Sequence, residues 1–183
     1  GTAQADGRES GDYIYLSSAC SHILIVRIGL GDPLAEVAEQ ADRFIALMER
    51  TRVASSLAVQ TIARQFVAAL RGHTSAPHSL ADANFDDLAF LARCERSGLT
   101  FAVRWYATVK LHLALLFDRR AEARGILERF GSAIASNFGF YFTTDFAFLA
   151  ALTLTRLAAA APADERPALL TTLAAHAAPL AAW

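Results

Sequence analysis

Lysine, methionine, cysteine and proline are scarce in this sequence. The 183 residues include one lysine, one methionine, two cysteines and five prolines. Arginine supplies nearly all of the basic charge, and the formal net charge is −1. That balance lacks the basic excess of a nucleic-acid-binding domain, so nucleic acid is not an expected partner. With so few prolines, long stretches of the chain contain no helix breaker.

The two cysteines do not form a recognisable redox or metal motif. Cys20 and Cys94 lie far apart, and neither belongs to a CxxC pair. Such a pattern is typical of reduced structural thiols in a cytoplasmic protein. The first twelve residues are polar and contain no apolar run of the signal-peptide kind. We therefore expect a cytoplasmic location.

Sequence motifs of the common catalytic and cofactor sites are also absent. The chain contains no HExxH, GxxxxGK[ST], GxGxxG or GxSxG. These motifs mark zinc proteases, phosphate-binding loops, dinucleotide sites and serine hydrolases. We expect no catalytic, cofactor-binding or metal-binding residues. An active site assembled from residues far apart in sequence remains the open alternative.

Apolar spacing of three and four residues dominates what is present. Hydrophobic residues make up 54% of the chain, and alanine, the best helix former, supplies much of that share. The spacing predicts helices nearly throughout and no alternating strand. We predict an all-α fold of about eight helices. They cover about 12–30, 33 onward, 53–70, 85–96, 99–117, 119–136, 140–161, and a last helix that runs to 183.

Turn residues divide these helices into hairpins. The first helix is expected to stop near Gly31, and Asp32 to cap a helix that has Pro33 in its first position. Asp118 and Asp164 are expected to cap later helices, with Pro167 in the last helix's first turn. Such short connections join antiparallel neighbours. We predict hairpins stacked as a right-handed solenoid resembling tetratricopeptide repeats, with 12–183 as one domain cut from a larger protein and 1–11 as a linker or cloning remnant.

One stretch, residues 104–130, concentrates chemically active side chains. Lys110, His112 and Asp118 lie within nine positions of one another. Two helical residues two apart point in different directions, so Lys110 and His112 are not expected to converge. We interpret the stretch as a packed hairpin rather than a catalytic group. The predicted seam consists of Trp105, Tyr106, Val109, Leu113 and Leu116. His73 and His78 flank a loop, and the alternative of a metal site there rests on spacing that matches no known motif.

The seventh helix raises two further alternatives. It is long enough to span a bilayer, but Asp145 and Arg156 lie within it, so a buried helix with these charges near its ends is the better interpretation. Its aromatic residues form either core, or an apolar ligand pocket or partner groove. They are Phe138, Phe140, Tyr141, Phe142, Phe146 and Phe148.

The C-terminal segment resembles a known family. FYFTTDFAFLAALTLTRL is followed by an ADERP break and a helix that ends in Leu-x-x-Trp, residues 140–183. This resembles the helical-repeat region of very large bacterial signalling proteins, which join a serine/threonine-kinase-like domain and a predicted ATPase to GAF and histidine-kinase domains. The segments 29–47, 64–91 and 104–123 are similar to its earlier hairpins. Where that family usually has Gly-Asp, this chain has Phe117-Asp118.

The resemblance implies a non-catalytic scaffold that binds protein and couples an ATPase module to an output module. The family's kinase, ATP-binding and phosphoacceptor residues lie in other domains, so none is assigned here. A sensor for a small apolar ligand, as in large ATP-dependent LuxR-type regulators, is the alternative, and an enzyme ranks third. We also expect a homodimer through the C-terminal hairpin. Its apolar arc is Leu169, Leu170, Leu173, Ala174, Ala177, Leu180 and Ala181, with Trp183.

Overall fold

The computed structural model describes residues 13–135 and 141–181, and within these ranges the chain forms eight α-helices and no strand. The all-α prediction is confirmed. In chain order the helices are α1 (Tyr13–Leu30), α2 (Leu34–Thr51), α3 (Ala54–Leu70), α4 (Asp87–Arg96), α5 (Thr100–Leu116), α6 (Arg120–Ala135), α7 (Tyr141–Ala160) and α8 (Arg166–Leu180). The predicted linker, 1–11, lies outside the described residues, as does Trp183.

The chain divides into two compact units, with the boundary between Tyr106 and Ala107 inside α5. In the first unit, α1 packs against α2 and α3, and α2 packs against α3. Val37, Ala41, Phe44 and Met48 share one face of α2 and are all buried. They join side chains of α1 and α3 in one core. Its remaining buried members are Leu16, Cys20, Leu24, Ala63 and Val67.

Residues with a left-handed backbone follow five of the helices, at Gly31, Arg52, Gly72, Gly98 and Asp118. After α1, Gly31 has φ +76°, its amide donates to Ile28, and the Asp32 amide donates to Arg27. This pair of hydrogen bonds is the Schellman motif, which satisfies carbonyls at a helix C-terminus. Gly72 and Gly98 end α3 and α4 in the same way.

Two of the expected N-caps are wrong. Asp118 has φ +50° and closes α5, where its amide and that of Arg119 donate to Leu115 and Ala114. Its carboxylate accepts hydrogen bonds from Arg120. Asp32 does not cap α2 either, because the cap position is Pro33 and the Asp32 carboxylate accepts from Arg27. In both cases a nearby guanidinium competes successfully with the backbone amides.

The irregular segment between α3 and α4 is tied to the first unit by polar contacts. Leu80 is fully buried, and the Ser75 amide donates to the Ala81 carbonyl at 2.8 Å. The Gln65 side chain of α3 donates to the Asp82 carboxylate at 2.9 Å. At the start of α4, Asp86 accepts from the Ala89 amide and so caps the helix.

In the second unit, α7 packs against both α6 and α8. The buried face of α7 includes Phe146, Ala150, Leu154 and Leu157. The Arg166 guanidinium donates to the carbonyls of Ala158 and Ala161, which ties the start of α8 to the end of α7. Within the described ranges, no helix combines the length and apolar character needed to cross a membrane.

Candidate functional site

The three side chains that the sequence placed close together are held apart. Lys110 Nζ lies 2.7 Å from Glu122 Oε1 of α6. The charge that acts on His112 belongs to Asp145 of α7. Asp118 lies at the α5–α6 turn and accepts hydrogen bonds from Arg120 at 3.0 and 3.2 Å. Each of the three side chains therefore has a different charged partner.

His112 and Asp145 form a half-buried pair that the sequence did not reveal. Burial lowers the pKa of His112, and the Asp145 carboxylate opposes that shift. Burial raises the pKa of Asp145, and His112 opposes that shift in turn. Because burial is the larger cause for both groups, the pair tends toward its neutral forms. The two residues are 33 positions apart on different helices, so no local spacing could indicate their proximity.

The remaining histidines and the cysteines do not assemble a metal site. His22 is exposed and contacts the Ser18 carbonyl at 2.8 Å, and His73 is exposed. Both cysteines are buried and neither forms a disulfide, and burial raises the pKa of Cys94. Across residues 13–135 and 141–181, no three His, Cys, Asp or Glu side chains are placed to hold an ion.

An open groove of about 480 Å³ runs between α6 and α8, with α7 as its floor. Its volume falls within the range of small-molecule sites, about 300–1,000 Å³. The floor is apolar and is formed by Leu154 and Leu157, while both walls mix polar and apolar side chains. The walls carry Arg124, Leu127, Glu128, Gly131 and Ser132 on α6, and Ala168, Leu169, Thr172, Ala175 and His176 on α8.

His176 is a half-buried polar group in the α8 wall of this groove. Its ring meets the buried Phe146 edge to face, with centroids 6.3 Å apart, and a Cβ on Gly131 would lie 3.9 Å from its Nε2. Burial lowers the pKa of His176, so the ring is neutral at pH 7 and can both donate and accept a hydrogen bond. The groove can thus hold an uncharged ligand with one polar group.

The predicted aromatic stripe of the seventh helix is split. Phe146 is buried in the core beside the groove, and Phe148 is exposed. Phe138 and Phe140 lie outside the described residues, and the side chains of Tyr141 and Phe142 lie outside the described side chains. Among the described groove-lining residues, none belongs to the 138–148 run.

One side of α8 is apolar, exposed and free of charge. After Arg166 the helix contains no Asp, Glu, Lys or Arg. Leu169, Leu173 and Leu180 are half-buried, and Leu170 is 48% exposed. The expected division of the arc, part packed and part open, is confirmed for these residues. The open side also carries Ala174, Ala177 and Ala181.

A second exposed surface lies where α5 ends and α6 begins, against α7. The Arg156 Nη1 atom donates to the Leu115 carbonyl at 3.0 Å. Leu115, Asp118 and Arg120 line a small hollow with Thr153 and Arg156 of α7. Leu116, the last residue of α5, was predicted to lie in the seam but is 55% exposed. The other predicted seam residues are buried.

Exposed apolar residues of α7 continue this surface. Phe148 is 52% and Leu152 is 39% exposed. Leu152 precedes Arg156 by one helical turn and Phe148 precedes it by two, so all three share one stripe of the helix. We define the corner surface as Leu116, Phe148 and Leu152 with Arg119, Arg120 and Arg156.

The corner surface is basic on balance. The Arg120 hydrogen bonds, aided by the charges of Arg120 and Arg156, lower the pKa of Asp118, so this carboxyl is ionised at neutral pH. Three arginines against the one carboxylate leave a net charge of +2. Glu122, the next acidic residue of α6, is paired with Lys110.

Comparison with protein-family models, curated proteins and solved structures finds no match to this chain. What the chain does must therefore be argued from its own surfaces.

Proposed function

We propose that this chain is a non-catalytic protein-interaction segment of a bacterial signal-transduction protein, where it couples an ATPase module to an output module. The signalling context rests on the family resemblance of the sequence. The absence of a converging catalytic group in the described structure supports a binding role. So does the separation of Lys110, His112 and Asp118 into three unrelated environments.

The observation that carries this proposal is the uncharged open side of α8. An exposed helix normally carries charged or polar residues on the face that meets water, and a helix that is apolar all round is normally covered. Leu170 and the alanines on the same side of α8 have neither charge nor cover. A neighbouring protein surface that packs on this side would remove that apolar area from water.

The experiment begins with the gene. We expect the reading frame around residues 1–183 to encode a P-loop ATPase domain and an output domain. Binding of the chain to those domains, produced separately, is then measured by titration calorimetry. Leu170→Asp should weaken binding about tenfold or more, because it places a charge in an apolar contact. Thr171→Asp, which adds the same charge about 100° around α8 from Leu170, is the control. A gene with no ATP-binding domain would contradict the signalling context.

A small-molecule sensor is the second candidate, and the groove favours it. The groove has a leucine floor and a neutral, half-buried His176 in one wall. An uncharged ligand with an apolar body would bury its body on Leu154 and Leu157 and hydrogen-bond His176. Such a ligand site needs both an apolar surface and a few placed polar groups.

Filling the groove tests this second candidate. A panel of uncharged amphiphiles is screened by thermal shift, and any hit is titrated against two variants. Ala175→Trp places a large ring in the groove and should abolish binding, while Ala174→Trp, next to it but outside the lining, should not. Binding that survives Ala175→Trp would place the ligand elsewhere and remove the groove from consideration.

A further inference from the structure

The corner surface combines two features that seldom occur together on a surface without a partner. Its three apolar side chains are each between 39% and 55% exposed. Its three arginines surround the point where α5 ends and α6 begins, and Arg156 is fixed there by its bond to the Leu115 carbonyl. Aromatic residues and arginine are enriched in protein interfaces, and such anchors contribute most of the binding energy.

The arginines retain donors for a bound carboxylate. A guanidinium has five N–H donors, and Arg156 uses one of them on Leu115. Arg119 is exposed and forms no ion pair in the described part of the chain. Arginine binds carboxylates through two parallel hydrogen bonds, which gives orientation as well as affinity.

We propose that the corner surface binds a protein segment in which apolar side chains stand next to acidic residues. The apolar side chains pack on Phe148 and Leu152, and the carboxylates pair with Arg119 and Arg156. The inference rests on the proposed interaction function and names the chemistry of one partner. The net positive charge of the surface favours the acidic residues of such a segment. The exposed apolar stripe beside it favours the apolar side chains.

Nucleic acid and membrane surfaces fit the corner surface less well. A net charge of +2 is small beside the roughly 6–10 phosphate contacts of a typical nucleic-acid site. It is also small beside the basic clusters of about 4–8 residues that recognise anionic lipid.

The test selects ligands for the whole 183-residue chain from a phage-displayed library of random short peptides. We expect enriched sequences to combine Leu or Phe with Asp or Glu. The tightest peptide is then titrated against single variants. Leu152→Asp and Arg119→Glu should each weaken it about tenfold or more, and added salt should weaken it further. Leu88→Asp and Arg43→Glu make the same changes at exposed positions outside the surface and should have no effect.

Five outcomes would overturn the proposal. Enrichment of basic or uncharged peptides would show the wrong partner chemistry, as would failure to enrich any peptide. Equal binding by the Arg119→Glu variant would show that the arginines do not contribute. Binding to vesicles of anionic phospholipid that both corner variants abolish would assign the surface to membranes. A dimer dissociated by Leu152→Asp would assign it to a second copy. The neighbouring-domain assay uses α8 variants, so either proposal can fail while the other stands.

Discussion

Gln60 stands out at the scale of single residues because its polar side chain has no accessible surface. It lies in α3 with both amide atoms buried, and neither has a hydrogen-bond partner among the described residues. Leaving a buried polar group unsatisfied costs about 1–3 kcal/mol. The side chain therefore occupies core volume at the expense of stability.

Replacing Gln60 with an apolar residue of similar shape should stabilise the chain. We expect Gln60→Met to raise the free energy of unfolding by about 1–3 kcal/mol in denaturant titrations, because the unsatisfied amide is removed. Gln65→Met is the matched control. That amide donates to Asp82 at 2.9 Å, so its loss should lower stability. If the two substitutions change the free energy of unfolding equally, the Gln60 amide has hydrogen-bond partners in solution.

Trp105 gives a second prediction at this scale. It was predicted to be buried, and it is 3% exposed, with an indole N–H that has no hydrogen-bond partner in the described ranges. Trp105→Ala should cost about 3–5 kcal/mol by chemical denaturation, the usual range for truncating a large buried aromatic. Trp105→Phe should cost much less, because removal of the unsatisfied N–H offsets part of the lost packing. A loss below about 1 kcal/mol for Trp105→Ala would contradict the observed packing.

The half-buried histidine of the groove predicts how stability depends on pH. Burial lowers the pKa of His176 from its ordinary value of 6.5, so the unfolded chain binds more protons than the folded chain just below that value. The stability that its neutral form contributes is complete above about 6.5 and is lost as the pH falls through the lowered pKa. His176→Asn should flatten this fall in urea titrations between pH 7 and 5. An unchanged slope would mean that the ring is solvated.

At the scale of helices, two positions with a left-handed backbone, Gly98 and Asp118, give opposite predictions for the effect of substitution on stability. Gly98 has φ +66° with open space where a Cβ would lie, so Gly98→Ala meets backbone strain and no steric clash. That strain should cost about 1–2 kcal/mol. Asp118 occupies the corresponding position after α5 without being glycine. Asp118→Gly should therefore change stability in the opposite direction. Thermal melts of both variants test this, and a shift of the same sign for the pair would refute it.

Helices and their ends were predictable because their signals are local. The 3.6-residue period of α2 places Val37, Ala41 and Phe44 on one face, whichever helix packs against that face. Gly31 ends α1 because glycine adopts a positive φ without steric cost. The Asp118 cap was not predictable in the same way. Its carboxylate can accept from a backbone amide or from Arg120, and sequence spacing does not decide between them.

The surfaces were harder to predict because they depend on which helices meet. Leu116 continues the apolar spacing of α5, yet it is exposed at the last residue of the helix. The groove draws its walls from α6 and α8 and its floor from α7, so its lining is spread over more than fifty residues. The His112–Asp145 pair likewise joins two helices. Only the uncharged run after Arg166 was visible in the sequence as a candidate surface.

At the scale of the whole molecule, the uncharged side of α8 predicts self-association of the isolated chain. A second copy can cover this side with its own α8, since two uncharged faces do not repel and alanines allow close approach. We expect light scattering to show a dimer at tens of micromolar. Leu170→Asp should give a monomer with an unchanged helical circular dichroism spectrum, because Leu170 is 48% exposed and contributes little to the fold.

Thr171→Asp again separates a specific contact from a general effect of charge on α8. Thr171 is exposed and lies about 100° around the helix from Leu170, and its hydroxyl donates to the Pro167 carbonyl. It should therefore leave the dimer intact. If the wild-type chain is monomeric, a second copy does not cover the uncharged side. If both variants dissociate the dimer, charge anywhere on α8 is sufficient, and the contact does not depend on Leu170. Dissociation by Leu170→Asp alone would place this side chain at the centre of the interface, as expected for an apolar anchor that is surrounded by smaller residues.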